Sequence, residues 1–172
     1  MTRHIELLTL LLEGSELITF EYWSEFILGI QRDEHTRHPA LQEMVGKLRI
    51  PSLFRLRLRG KWRIGQQHEW ETAVQRFPTK GISPIPIEAP LQASLIMTKL
   101  GKQISNVSVS EKSDLIMNLS DGSPIVVQGI GSSWDESWIL ELPADDPDRD
   151  QWSIICDSQG LVGGKFPTRS HA

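Results

Sequence analysis

Apolar and polar residues alternate along much of this chain, a pattern typical of half-buried β-strands. Asp121-Gly122 lies between two β-rich runs, residues 115–119 and 125–127, and predicts a hairpin, because glycine takes the positive φ of a tight turn. Strands are predicted at residues 17–23, 26–30, 53–64, 115–119, 125–127, 138–142, 152–156 and 160–166.

Helical spacing is rarer. Trp70, Val74 and Phe77 recur at helical spacing before a proline, which predicts a helix over residues 66–77. Another helix is predicted from residue 35 or 39 to residue 48, while the first dozen residues fit either a short helix or a strand. The pattern therefore predicts an α+β fold, mainly antiparallel β with a minority of helix.

A proline cluster between residues 78 and 90 divides the chain, because proline disfavours both helix interiors and central strands. We expect an extended connector over residues 81–92. It would join an N-terminal α+β half, residues 1–80, to a C-terminal, mainly β half, residues 93–172.

The two halves contain a similar segment. Residues 12–22 align with residues 99–109: each has a leucine, then a glycine within two residues, then an alternating strand and a second apolar run. Two related small sheets, one in each half, are expected if the similarity reflects an ancient duplication. A turn that happens to precede a strand would give the same pattern without one.

Composition is that of an ordinary globular protein, with 39% hydrophobic and 23% charged residues. The net charge of −4 argues against a nucleic-acid binder. Residues 1–87 hold 12 basic and 10 acidic side chains, whereas residues 88–172 hold 6 and 12. Cys156 is the only cysteine, and the apolar run at residues 7–12 is too short for a membrane span or a signal peptide. We expect a cytoplasmic protein without membrane attachment.

A basic stripe is the sharpest pattern in the sequence. Between residues 54 and 64, basic and apolar residues alternate, so an unbroken strand would place all five cations on one face. If Gly60 marks a turn or bulge, the stripe divides in two. The face would be solvated or matched by acids such as Glu21 and Glu25, or else it would bind an anion or a partner. Its members are Arg55, Arg57, Arg59, Lys61 and Arg63.

An acidic stretch with tryptophans forms the second pattern, from Trp134 to Trp152. Large aromatic residues beside charges are enriched at protein interfaces. Alternatively, Trp138 and Trp152 lie in the core and the acidic loop is solvated. The candidate binding residues are Trp134, Asp135, Glu136, Asp145, Asp146, Asp148 and Asp150.

No pattern predicts catalysis. His35 and His38 would need a third ligand to hold zinc, and the acidic loop lacks the spacing of a calcium-binding EF-hand. Cys156 lies in an apolar run and is expected to be a buried hydrophobe. The glycine-rich residues 129–133 lack the ending of a phosphate-binding loop. We therefore predict neither a metal nor a cofactor.

The segments 56–65 and 114–122 resemble small, uncharacterised bacterial proteins, some of which are immunity-like partners of toxins. The resemblance implies binding rather than catalysis. The leading hypothesis is a protein-binding module, an immunity-like inhibitor whose acidic half covers a basic partner. The alternatives are a small anion-binding protein or enzyme that uses the basic stripe, and a non-catalytic subunit of a homodimer or larger homo-oligomer.

Overall fold

The computed structural model describes residues 3–33, 38–46, 49–77 and 88–167. The first helix, α1 (Arg3–Leu12), buries leucines that recur at helical spacing. Helix α3 (Gln67–Arg76) begins at Gln66, whose backbone N–H donates to the Glu69 carboxylate at 3.0 Å. The helices are α1 (Arg3–Leu12), α2 (Pro39–Val45), α3 (Gln67–Arg76) and α4 (Glu88–Met97). The predicted helices at α2 and α3 are confirmed, and the ambiguous N-terminus is helical.

Within the described residues, ten strands form two sheets in which every pairing is antiparallel. The six-stranded sheet has the order β1-β2-β3-β8-β9-β10, and the four-stranded sheet has the order β4-β7-β6-β5. The α+β fold, mainly antiparallel β, is therefore confirmed. The strands are β1 (Glu16–Tyr22), β2 (Phe26–Gln31), β3 (Leu53–Leu58), β4 (Trp62–Ile64), β5 (Ile104–Val109), β6 (Leu115–Leu119), β7 (Pro124–Val127), β8 (Glu136–Glu141), β9 (Ser153–Asp157) and β10 (Val162–Lys165).

The predicted strand at residues 53–64 is interrupted at Gly60, which is the alternative in which the basic stripe divides in two. Strand β3 ends before Gly60 and belongs to the six-stranded sheet, whereas β4 follows it in the four-stranded sheet. The Gly60 N–H donates to the Ser137 carbonyl at 2.6 Å. A side chain at residue 60 would collide with the Gln128 backbone, so this crossing requires glycine.

The prediction of an extended connector is wrong for residues 88–92, which form the first half of α4. Pro90 lies in the first turn of that helix, where a backbone N–H has no acceptor within the helix, so its missing hydrogen costs no bond. Residues 78–87 lie outside the described residues.

Residues 12–22 and residues 99–109 lie side by side and have the same backbone features at equivalent positions. Gly14 and Gly101 occupy equivalent positions, and each has φ of 79°. The Gly14 N–H donates to the Ile104 carbonyl at 2.8 Å, and the Gly101 N–H donates to the Leu17 carbonyl at 2.7 Å. Each strand has a register irregularity at the equivalent place, directly after Leu17 in β1 and directly after Ile104 in β5. These reciprocal contacts define a local, approximate twofold axis.

Beyond that axis the halves exchange a strand. Each half contributes a helix followed by three antiparallel strands, α1 with β1–β3 or α4 with β5–β7. The next strand in each half, β4 or β8, then crosses to the other sheet. Thus β4 pairs with β7, and β8 pairs with β3. The prediction of a separate small sheet in each half is wrong, because each sheet contains strands from both halves. The boundaries at residues 80 and 93, and the duplication itself, stay predictions.

One hydrophobic core joins both sheets to α1, α2 and α4. Burying it removes apolar surface from water, which is the main stabilising contribution to folding. Its largest fully buried side chains are Trp138, Phe54, Leu7, Leu8, Leu11, Leu12, Leu17, Leu28, Ile30, Leu41, Leu56 and Ile96.

Candidate protein-interaction surface

The basic stripe is divided between the two sheets. Strand β3 buries Phe54, Leu56 and Leu58 and turns its arginines to the opposite face, as the alternation predicts. Lys61 and Arg63 instead belong to the crossing and to β4, in the four-stranded sheet. The five cations therefore do not form one surface.

Carboxylates from neighbouring elements neutralise the three arginines. Glu25, in the β1–β2 turn, binds both Arg57 and Arg59, the latter with a distance of 2.7 Å from Nε to Oε2. Arg59 also pairs with Glu136 at the start of β8. Arg55 reaches Glu21 at 3.2 Å, and Arg57 lies 3.8 Å from Glu141. The expectation that acids such as Glu21 and Glu25 match the stripe is confirmed for these three arginines and not for Lys61 and Arg63.

Glu25 is the centre of this network. Its burial alone would raise the pKa of the carboxyl group, but the hydrogen bonds and charges of Arg57 and Arg59 outweigh burial and lower the pKa below its ordinary value. Burial likewise opposes the charge of Arg59, yet Glu25 and Glu136 raise its pKa. Both groups are therefore held in their charged forms.

Glu25 should make stability depend on pH in the acid range. Because its folded pKa is lowered, the ionised carboxylate stabilises the fold above its ordinary pKa of 4.5, and the stabilisation is lost as pH falls through the folded pKa. We expect the free energy of unfolding of Glu25→Gln to fall less steeply below pH 4.5 than that of the unsubstituted protein. Urea unfolding at several pH values measures this. The exposed Glu43→Gln serves as the control, and equal slopes for all three proteins would contradict the assignment.

The same network positions an exposed tryptophan. The guanidinium of Arg59 lies 5.2 Å from the centre of the Trp134 ring, within the range of a cation–π contact. Trp134 is 43% exposed, and Trp23, two residues before Glu25, is 79% exposed. The ion pairs Glu25–Arg59–Glu136 therefore connect the segments that carry the two tryptophans.

Other exposed apolar residues lie at the same end of the six-stranded sheet as these tryptophans. The β1–β2 turn, the β7–β8 connection and the β9–β10 turn meet at that end, because the register places residues 26, 58, 138, 156 and 162 in successive contact across the sheet. We call this surface the aromatic rim. It consists of the exposed residues Tyr22, Trp23, Ile130, Trp134 and Leu161.

Of the aromatic rim, the sequence-based prediction included Trp134 alone. Tyr22-Trp23-Ser24-Glu25 carried a signal, because two adjacent aromatic residues before a polar turn cannot both point into the core. Ile130 and Leu161 carried none, since isolated apolar residues in loops are common on protein surfaces.

The acidic stretch does not form one surface either. Asp135 and Glu136 lie at the aromatic rim, whereas residues 145–150 follow β8 at the opposite end of the sheet, about 20 Å away along a strand of six residues. There Arg49 lies 3.7 Å from Asp146 and 3.5 Å from Asp148. Asp145 lines a groove on the six-stranded sheet, and Asp150 lines a different concave region near the N-terminus of α1. Trp138 and Trp152 are buried, so the core interpretation is confirmed for both.

The remaining candidates for chemistry are placed as follows. Cys156 is fully buried, and burial, with Asp157 and Asp114 nearby, raises the pKa of its thiol to about 12, so it is a poor nucleophile at neutral pH. His35 lies outside the described residues. Among the residues that are described, no cluster of His, Cys, Asp and Glu is arranged to hold a metal ion. Within the same ranges, no helix has the length and apolar character needed to span a bilayer.

Comparison with known proteins adds no assignment: no protein-family model matches the chain, and neither the curated proteins nor the solved structures contain a significant match.

Proposed function

We propose that the protein is a protein-binding module and that the aromatic rim docks onto a basic protein partner. The observation that carries the proposal is the pair of exposed tryptophans, Trp23 and Trp134, on segments joined by the Glu25–Arg59–Glu136 ion pairs. Aromatic side chains are enriched at protein–protein interfaces relative to the rest of the protein surface.

The ion pairs prepare this surface for binding. Tryptophan supplies a large contact area for few rotatable bonds, and it is enriched among the residues that dominate binding energy. Arg59 contacts Trp134 and is itself held by two carboxylates, so less side-chain freedom is lost when a partner docks. A partner then gains affinity chiefly from burying the two indole rings.

Charge around the rim favours a basic partner. Of the carboxylates in residues 22–25 and 128–136, Glu25 and Glu136 are ion-paired with Arg57 and Arg59, whereas Asp135 forms no ion pair with any described residue. An unpaired carboxylate beside the tryptophans accelerates association with a cationic protein and disfavours an acidic one. An immunity-like inhibitor that covers a basic toxin would have these properties, and the resemblance of residues 56–65 and 114–122 to immunity-like proteins supports the same proposal.

The tryptophans provide the test. Tagged protein, purified from the cells that make it, is expected to bring down one basic protein. The double variant Trp23→Ala/Trp134→Ala should recover at least tenfold less of it, because removing a central tryptophan commonly costs about 2 kcal/mol and 1.4 kcal/mol is a factor of ten. Met97→Ala, at an equally exposed apolar residue on α4, is the matched control.

Charge substitutions locate the acidic contact. Once the partner is known, Asp135→Asn should slow its association at low salt, and Asp145→Asn, at the other end of the sheet, should not. The same variants show which of the two acidic segments faces the partner.

Equal recovery by the tryptophan variant and by Met97→Ala, with both proteins folded by circular dichroism, would refute the role of the aromatic rim.

A further inference from the structure

A further concave site lies on the four-stranded sheet and shares no lining residue with the arginine network. It is a cavity of about 340 Å³ lined by residues of β4, β7, α3 and the start of α4. Cavities of this size accept small-molecule ligands. Its walls carry two cations, Lys61 and Arg63, two carboxylates, Glu88 and Asp114, and the indole of Trp70.

The four charged side chains line the cavity from three parts of the chain: residues 61–63, the start of α4 and the residue before β6. Within the described part of the chain, none of them lies within 4 Å of an opposite charge. Arg63 donates to the Gly65 carbonyl at 2.7 Å, and the Asp114 carboxylate accepts from the Gly129 N–H at 3.0 Å. The cavity is therefore neutral in sum but offers both signs of charge.

The local twofold relation explains why this cavity is open. Asp114 directly precedes β6, as Glu25 directly precedes β2. In the six-stranded sheet, the side chains of Arg57 and Arg59 reach Glu25. The pair Leu58–Trp138 in the six-stranded sheet corresponds to the pair Val127–Trp62 in the four-stranded sheet. Arg57 and Arg59, on either side of Leu58, therefore correspond to Val126 and Gln128, on either side of Val127. Because these side chains are shorter and uncharged, Asp114 has no guanidinium partner among the described residues.

We propose that this cavity binds a small zwitterion, specifically a free α-amino acid. Its carboxylate would bind Lys61 and Arg63, and its ammonium group would bind Asp114 and Glu88. The side chain of the ligand would pack on the indole of Trp70, which is largely buried and forms one wall. One ligand of this class satisfies both signs of charge, which neither a simple anion nor a simple cation does.

Calorimetric titration of the full chain with each of the common free amino acids tests the proposal. At least one should bind saturably, with a Kd of about 1 mM or tighter. Its N-acetyl and its carboxamide derivatives, which lack one charge each, should both bind at least tenfold more weakly. Lys61→Gln and Glu88→Gln should weaken binding to a similar extent, and Lys165→Gln, in β10 of the other sheet, should leave it unchanged.

Each other outcome overturns the zwitterion assignment. Full binding of the N-acetyl derivative would assign the site to a carboxylate alone, such as a peptide C-terminus. Full binding of the carboxamide would assign it to an ammonium group alone. Absence of binding by every amino acid, with folded protein, would remove the site altogether. None of these results bears on the aromatic rim, whose variants are different.

Discussion

Produced separately, residues 1–87 and residues 88–172 should each fail to fold, and mixing them should restore the native structure. The reason is the exchange of strands: without the second half, β3 loses β8, and without the first, β7 loses β4. Each fragment would also expose the face of a core that both halves build. Circular dichroism in the far and near ultraviolet, before and after mixing, measures the effect.

This expectation separates the observed fold from a pair of independent domains. The intact chain, measured at the same concentration, is the control. A fragment that alone shows fixed aromatic signals and a cooperative urea transition would show that half to be autonomous, and the strand exchange would then be dispensable.

The second large effect concerns neighbouring residues of β3. Leu56 is fully buried, so Leu56→Ala should lower the free energy of unfolding by about 2–5 kcal/mol through lost burial and the cavity left behind. Arg57 points to the other face and pairs with Glu25 and Glu141. Arg57→Ala should lower it by about 1–2 kcal/mol, because Glu25 keeps Arg59 as its partner. Urea unfolding at neutral pH gives both values.

Leu161→Ala, at an exposed leucine of the aromatic rim, is the control and should change stability by no more than about 0.5 kcal/mol. Equal losses for Leu56→Ala and Arg57→Ala would mean that the arginine network holds the sheet together as strongly as the core does. A loss for Arg57→Ala within the range of the control would mean instead that its ion pairs contribute nothing measurable.

The local pattern was sufficient for most elements of this fold. Strands β2, β6 and β7 lie where short apolar runs and the Asp121-Gly122 turn predicted them, since a short apolar run bounded by turn residues is typical of a buried strand. Helix α4 was missed because proline was taken to exclude helix, whereas Pro90 occupies the one part of a helix that accepts it.

The candidate surfaces depended on tertiary structure. The basic stripe was visible in the sequence, but its partners come from elsewhere in the chain: Glu21 and Glu25 from the first hairpin, and Glu136 and Glu141 from β8. Which of these carboxylates meets which arginine follows from strand order, and no local pattern specifies strand order.

The sequence by itself therefore determined the fold class, the inward face of β3 and the local similarity of residues 12–22 to residues 99–109, and it left open whether the strand breaks at Gly60. Each of these follows from backbone geometry and side-chain type over a few residues. Only the tertiary structure decided that the halves exchange strands, that the arginines are neutralised and that Trp23 and Trp134 share one end of a sheet. Those features arise from contacts between residues distant in sequence, which form only when the whole core is buried at once.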